Sequence, residues 1–116
     1  MKVNCIIIDD DQKAIQMLES YIQEIPYLRL TRILQNPVEA LKWRNDQKID
    51  VAFIEINMAK INGLELIKNI RTDTKFVITT AYREFAAESY ELDVLDYLLK
   101  PVSFSRFLKT AQKLRP

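Results

Sequence analysis

The chain has no histidine, one glycine (Gly63) and one cysteine (Cys5). Without imidazole, serine-histidine and cysteine-histidine triads and histidine-based metal sites are excluded. A single glycine rules out a Walker A loop and a dinucleotide fingerprint, each of which needs several glycines for close backbone approach to phosphate. Cys5 lies inside the apolar run Cys5-Ile6-Ile7-Ile8; alone, it forbids an intrachain disulfide, fits a reducing compartment and reads as a small buried hydrophobe. Net charge is missing too, since 17 basic and 16 acidic residues leave +1. No whole-chain field therefore argues for nucleic acid or an anionic membrane as partner. The N-terminus lacks the apolar stretch of a signal peptide, and no run approaches the ~20 apolar residues of a membrane span. The expectation is a cytoplasmic protein without membrane association.

What is present is an alternation. At 116 residues the chain is expected to form one domain, 1–116, able to bury a core without staples. Two continuously apolar runs, about Asn4 to Ile8 and Val51 to Ile54, read as parallel strands covered on both faces. Leu28 to Leu34 alternates more and reads as a strand nearer an edge, while Phe76 to Thr79 and Asp96 to Leu99 complete five. Between them, Ile15, Leu18, Ile22 and Ile25 recur at helical spacing until Pro26 terminates the pattern. Asn36-Pro37-Val38-Glu39 and Asn62-Gly63-Leu64-Glu65 are helix starts, with asparagine as cap and glutamate three residues on. Those two helices are expected to run to about Asn45, with Trp43 packing on the sheet, and to about Arg71. A fourth helix is expected from about Glu84 to Leu92. The last is capped by Ser103 and presents Phe104, Phe107, Leu108, Ala111 and Leu114 on one face.

Five such units predict an α/β fold, a doubly wound five-stranded parallel sheet with helices on both faces. Its strand order, 2-1-3-4-5, is taken from known doubly wound folds rather than from spacing. In that order strands one and three are neighbours at the topological switch point, which brings Asp9, Asp10 and Glu55 into one crevice. Three converging carboxylates need a counter-charge. A hard cation such as Mg²⁺, which takes oxygen ligands and keeps several waters, is the expected solution. Asp10 and Glu55 are the candidate direct ligands, with Asp9 acting partly through water and the Asn57 carbonyl as a backbone ligand. Strand four ends in Thr79-Thr80 and strand five in Lys100, adding a hydroxyl and an ammonium. Acid, acid, hydroxyl and cation at four strand ends are what phosphoryl transfer uses, because it depends on positioning and charge stabilisation.

These residues carry a resemblance. Ile8-Asp9-Asp10-Asp11, Asp50 to Met58, Gly63-Leu64-Glu65, Thr79-Thr80-Ala81-Tyr82 and Asp96-Tyr97-Leu98-Leu99-Lys100-Pro101 resemble, in order and spacing, the receiver domain of a two-component response regulator. The resemblance spans nearly the whole chain. It implies a flavodoxin-like fold, a non-enzymatic phosphorelay switch, a sensor histidine kinase as partner and Mg²⁺ held by the acidic pair Asp9 and Asp10. Thr80 would be the switch hydroxyl, Lys100 the phosphate-pairing lysine, and Tyr97 the aromatic that swings inward on activation. The bond before Pro101 is expected to be cis. The wording of Thr79 to Tyr82 and Asp96 to Pro101 is similar to the LytTR (AlgR-like) type, whose receivers precede a DNA-binding effector domain absent from this sequence. The fourth helix, fifth strand and fifth helix would form a homodimer surface, with Asp93 and Asp96 pairing with Arg106 or Lys109 of a second copy.

Two departures stand out. The family's phospho-acceptor is aspartate, and the aligned residue here is Glu55, whose carboxylate reaches one carbon-carbon bond, ~1.5 Å, further. A displacement of about 1 Å can cost on the order of 10²-fold in such chemistry. Phosphorylation is therefore expected to be impaired, with Glu55 acting as a weak mimic of the phosphorylated state or pairing with Lys100 to lock one conformation. Ala59 stands where the family commonly has proline, which suggests a looser loop. The alternatives are a small Mg²⁺-dependent phosphohydrolase of the haloacid-dehalogenase type, suggested by two aspartates spaced by one residue after a strand, and a phosphorylation-independent pseudo-receiver that acts only as an interaction module.

Overall fold

The computed structural model describes residues 1–42, 48–59, 61–69 and 73–116, apart from the side chains at 37 and 41. The expected ends of the second and third helices, and the packing of Trp43, lie outside the described residues. The elements alternate as expected: β1 (Val3–Ile8), α1 (Gln12–Gln23), β2 (Leu28–Leu34), α2 (Pro37–Lys42), β3 (Val51–Ile54), α3 (Gly63–Asn69), β4 (Lys75–Thr80), α4 (Ala86–Glu91), β5 (Asp96–Leu99) and α5 (Phe104–Lys113). All strand pairs are parallel and the order is β2-β1-β3-β4-β5.

The apolar runs explain the sheet. Every residue of Cys5 to Ile8 and Val51 to Ile54 is fully buried. Alternate residues face opposite layers, as the two-residue strand period requires. On one side Cys5, Ile7, Val51, Phe53 and Val77 pack against Ile15, Leu18 and Ile22 of α1 and Phe107 and Ala111 of α5. On the other, Ile6, Ile8, Ala52, Ile54 and Ile78 pack against Ala40 of α2 and Leu64, Leu66 and Ile67 of α3. Phe53 and Phe107 stack with centroids 5.8 Å apart, coupling the central strand to α5. Each such side chain contributes roughly 1.5–3 kcal/mol by leaving water.

Local chemistry sets the helix starts. The side-chain oxygen of Asn36 accepts from the amides of Val38 (2.7 Å) and Glu39 (3.2 Å), that of Asn62 from Leu64 (2.7 Å), and that of Ser103 from Arg106 (3.1 Å). Each therefore satisfies amides that the helix leaves without partners. Asp11 caps α1 by accepting from the Lys13 amide. Some boundaries move. Helix α1 stops at Gln23, before Ile25, which stays buried in the loop leading to β2. Helix α4 begins at Ala86 rather than Glu84, without a side-chain cap. On α5, Phe107, Ala111 and Leu114 are buried as expected, but Phe104 at its first turn is 37% exposed. Strand β2 is mostly open to solvent between its ends, as an edge strand should be.

Candidate functional site

Strand β3 ends at Ile54, so Glu55 is the first residue beyond it, and its amide donates to the Ile8 carbonyl at 2.9 Å. That bond fixes the base of Glu55 beside the end of β1, where Asp9 follows. The residue that permits this closeness is Gly63. A Cβ there would stand 2.3 Å from the Glu55 carbonyl oxygen, and the Gly63 amide donates to the Ile56 carbonyl at 2.7 Å. The start of α3 is thus pressed against the strand end, and a side chain has no room.

Glu55 and Asp9 are both buried, at 6% and 0% exposure. Lys100 lies between them. Its Nζ is 2.8 Å from Glu55 Oε1, 3.0 Å from Asp9 Oδ2 and 3.6 Å from Asp11 Oδ2. The remaining oxygen of Glu55 turns back on the loop, accepting from the amides of Ile56 (2.7 Å) and Asn57 (3.2 Å). Asp9 Oδ1 accepts from the Asp11 amide at 2.9 Å. Its Oδ2 meets the ammonium as an ion pair without hydrogen-bond alignment. Burial raises the Asp9 pKa, and the Asp11 amide and Lys100 offset that only in part. For Lys100, burial works against the charge, but the hydrogen bond to Glu55 and the field of Asp9 prevail and raise its pKa. The ammonium is therefore held charged.

Of the other expected site residues, Thr80 is fully buried at the end of β4, its hydroxyl accepting from the Tyr82 amide at 3.4 Å. Tyr97 on β5 is half-buried and its hydroxyl donates to the Tyr82 carbonyl. Burial, followed by the field of Glu84, raises its pKa. Asn57 is exposed, and its side-chain amide donates to the Tyr82 hydroxyl at 3.2 Å. The Lys100-Pro101 bond is cis. Tyr82, named in the sequence only within a motif and given no role, thus links the loops after β3 and β4 to Tyr97 on strand β5; an aromatic two residues past a hydroxyl-bearing strand end was the available signal.

The expected Mg²⁺ set of Asp9, Asp10, Glu55 and Asn57 is not gathered. Asp10 is exposed, both Glu55 oxygens are engaged by nitrogen donors, and no group of three or more candidate ligand side chains among the described residues could hold a metal. These residues, as arranged, do not fit the ion. A second expectation is also corrected. Asp96, expected to pair with a second copy, is engaged within its own chain: Arg106 contacts it with two nitrogens, at 2.7 and 3.1 Å, while the Thr110 hydroxyl donates to it at 2.7 Å and Lys113 lies 3.4 Å away. Those bonds, together with the Tyr97 amide, outweigh burial and hold its carboxyl down to about 2. The sequence paired these charges between copies because it did not reveal that α5 lays Arg106 across β5.

A parallel sheet ordered 2-1-3-4-5, with acids, a buried threonine and a lysine at its C-terminal edge, defines a receiver. The chain belongs to the response regulator receiver domain family, whose model matches residues 5–112. It is 35% identical over 114 residues to a response regulatory protein of Vibrio cholerae and 31% identical over 115 residues to the transcriptional regulatory protein BtsR of Escherichia coli. Each match covers 97% of this chain and 48% of the relative, so the chain spans about half the length of these curated relatives. Among solved structures it is similar to the response regulatory domain of protein MrkE from Klebsiella pneumoniae, with a TM-score of 0.88 and 31% identity, over 96% of this chain and 93% of that one. The chemotaxis response regulator CheY4 of Vibrio cholerae shares the fold at a TM-score of 0.82 and 22% identity, over 99% of this chain and all of that one. Receivers are generally signalling modules of two-component systems, without enzymatic turnover, that bind Mg²⁺ at the acceptor site. Membership displaces the phosphohydrolase alternative.

Proposed function

We propose that this receiver, of the LytTR type, carries Glu55 at the acceptor position and holds it closed against Lys100, so that phosphorylation by a sensor kinase is impaired and the domain keeps one conformation. The observation that carries this reading is the 2.8 Å contact between Lys100 Nζ and Glu55 Oε1, with the other oxygen on two loop amides. In the unmodified state the lysine is not waiting for a phosphoryl oxygen, because the longer side chain has already reached it. Tyr97 supports a fixed state, since its hydroxyl is tied to the Tyr82 carbonyl beside the buried Thr80.

The partners follow from the same class. A sensor histidine kinase would approach the crevice beside a cavity of about 410 Å³ lined by Ala14, Met17, Leu18 and Val102. DNA would be contacted through an effector domain, in keeping with BtsR, a relative about twice as long and a transcriptional regulatory protein. A homodimer through α4, β5 and α5 would pair exposed Glu88, Glu91 and Asp93 with Lys109, since Asp96 is occupied internally. No helix among the described residues is long and apolar enough to cross a membrane. The domain is proposed to work in the cytoplasm, as a single unit over 1–116.

Incubation with Mg²⁺ and acetyl phosphate, followed by intact mass measurement, tests the reading. Glu55→Asp should gain a phosphoryl adduct and the natural chain should not. Equal adduct formation by both would overturn it.

A further inference from the structure

The crevice raises a question of charge that the phosphorylation reading leaves open. Asp9 and Glu55 offer four carboxylate oxygens, and each already faces a nitrogen: Asp9 Oδ1 the Asp11 amide, Asp9 Oδ2 and Glu55 Oε1 the ammonium of Lys100, and Glu55 Oε2 the amides of Ile56 and Asn57. An ammonium has three N–H donors and no acceptor. Lys100 has three carboxylates within 3.6 Å. Mg²⁺ asks for something different, near-octahedral oxygen ligands at about 2.0–2.1 Å with several retained waters. A metal bonded to Asp9 Oδ2, which lies 3.0 Å from Nζ, would sit within about 5 Å of the ammonium whatever its direction. It would place two positive charges beside a third and compete with a nitrogen donor at each oxygen of Glu55.

We infer that Lys100 is the resident cation of this crevice: its ammonium takes the place of the divalent ion, and Mg²⁺ binds with useful affinity only when Lys100 is withdrawn. The cause lies in Glu55. Its additional methylene sets the carboxylate about 1.5 Å further from the backbone than an aspartate's, with one oxygen on Lys100 and the other on the loop amides. Asp9 Oδ2, which has no aligned hydrogen-bond donor, is then the oxygen left for a metal. The inference rests on the closed Glu55-Lys100 pair of the proposed reading but not on its conclusion about phosphorylation.

The test is a titration with MgCl₂ at constant ionic strength, followed by calorimetry and by backbone amide NMR shifts of residues after β1 and β3, on the intact domain and its variants. The natural chain should show no saturating response, while Lys100→Met should bind Mg²⁺ about tenfold or more tightly, as expected when a positive charge at this distance is removed. Glu55→Asp should gain affinity as well, and Lys100→Arg, which keeps the charge, should not. Should Lys100→Met fail to fold, Lys100→Gln and Glu55→Asp carry the comparison. Saturable binding by the natural chain as tight as in Lys100→Met, or no gain in any variant that removes the charge or shortens the carboxylate, overturns the inference. If Glu55→Asp is phosphorylated while the charge-removed variants gain no Mg²⁺ affinity, the inference fails and the proposed function stands. If those variants gain affinity while the natural chain is phosphorylated like Glu55→Asp, the reverse holds.

Discussion

Replacing Gly63 by alanine tests how Glu55 is positioned. The new Cβ would lie 2.3 Å from the Glu55 carbonyl oxygen, 2.9 Å from the Ile56 Cα and 3.0 Å from the Glu55 carbonyl carbon. All three are backbone atoms, so no flexible side chain can yield. Relief needs a shift on the order of 1 Å at the start of α3 or the end of β3, against the 2.7 Å bond from the Gly63 amide to the Ile56 carbonyl. Overpacking of this kind costs typically 1–3 kcal/mol, and alanine's better helix propensity returns at most about 1 kcal/mol, less at a first helical position. The expected net loss is about 1–2 kcal/mol, a fall in Tm of roughly 4–10 °C for a domain of this size. Differential scanning calorimetry measures it. In a Glu55→Asp background the same substitution should slow acetyl phosphate labelling by on the order of 10²-fold, because the reacting carboxylate moves with its backbone. A Gly63→Ala protein as stable as its parent, with unchanged labelling, would refute the close packing of α3 on the strand end.

Two more outcomes follow from the geometry. Asp96 has a folded pKa of about 2, below the unfolded ~3.9, so its clasp contributes fully above about pH 4 and is lost as pH falls through 2. Discounted for the 38% exposure of Arg106, that contribution is about 1–2 kcal/mol. Asp96→Asn should remove this part of the acid dependence in urea unfolding curves collected from pH 5 to 2; an unchanged slope would contradict the clasp. Burial pushes the Cys5 thiol up to about 12, and its side chain is wholly enclosed. A thiol reagent should therefore label it only at the rate of unfolding, and rapid labelling of the native protein would contradict its placement.

The sheet was legible because burial on both faces writes itself as continuous apolar runs. Cys5 to Ile8 and Val51 to Ile54 announce central strands, while the mixed polarity of β2 announces an edge. The meeting of Asp9, Glu55 and Lys100 followed from the order of those strands. The pairing of Glu55 with Lys100 was only one of the two expectations, because whether a carboxylate turns toward a metal, a lysine or its own loop amides is a choice among rotamers that no spacing encodes. The clasp of Asp96 was hidden for another reason. Its partners Arg106, Thr110 and Lys113 come from successive turns of α5, and only the docking of that helix on β5 aligns them. Asp11, which the sequence offered only as part of a motif, caps α1 with one oxygen while the other stands near Lys100.

The central claim is that Glu55 is held by Lys100. A double-mutant cycle measures this most directly, comparing unfolding free energies of the natural chain, Glu55→Gln, Lys100→Met and the double variant at neutral pH without added metal. A buried charged hydrogen bond of 2.8 Å should give a coupling of about 1–3 kcal/mol in favour of the pair. Additive single effects, with a coupling near zero, would contradict the account.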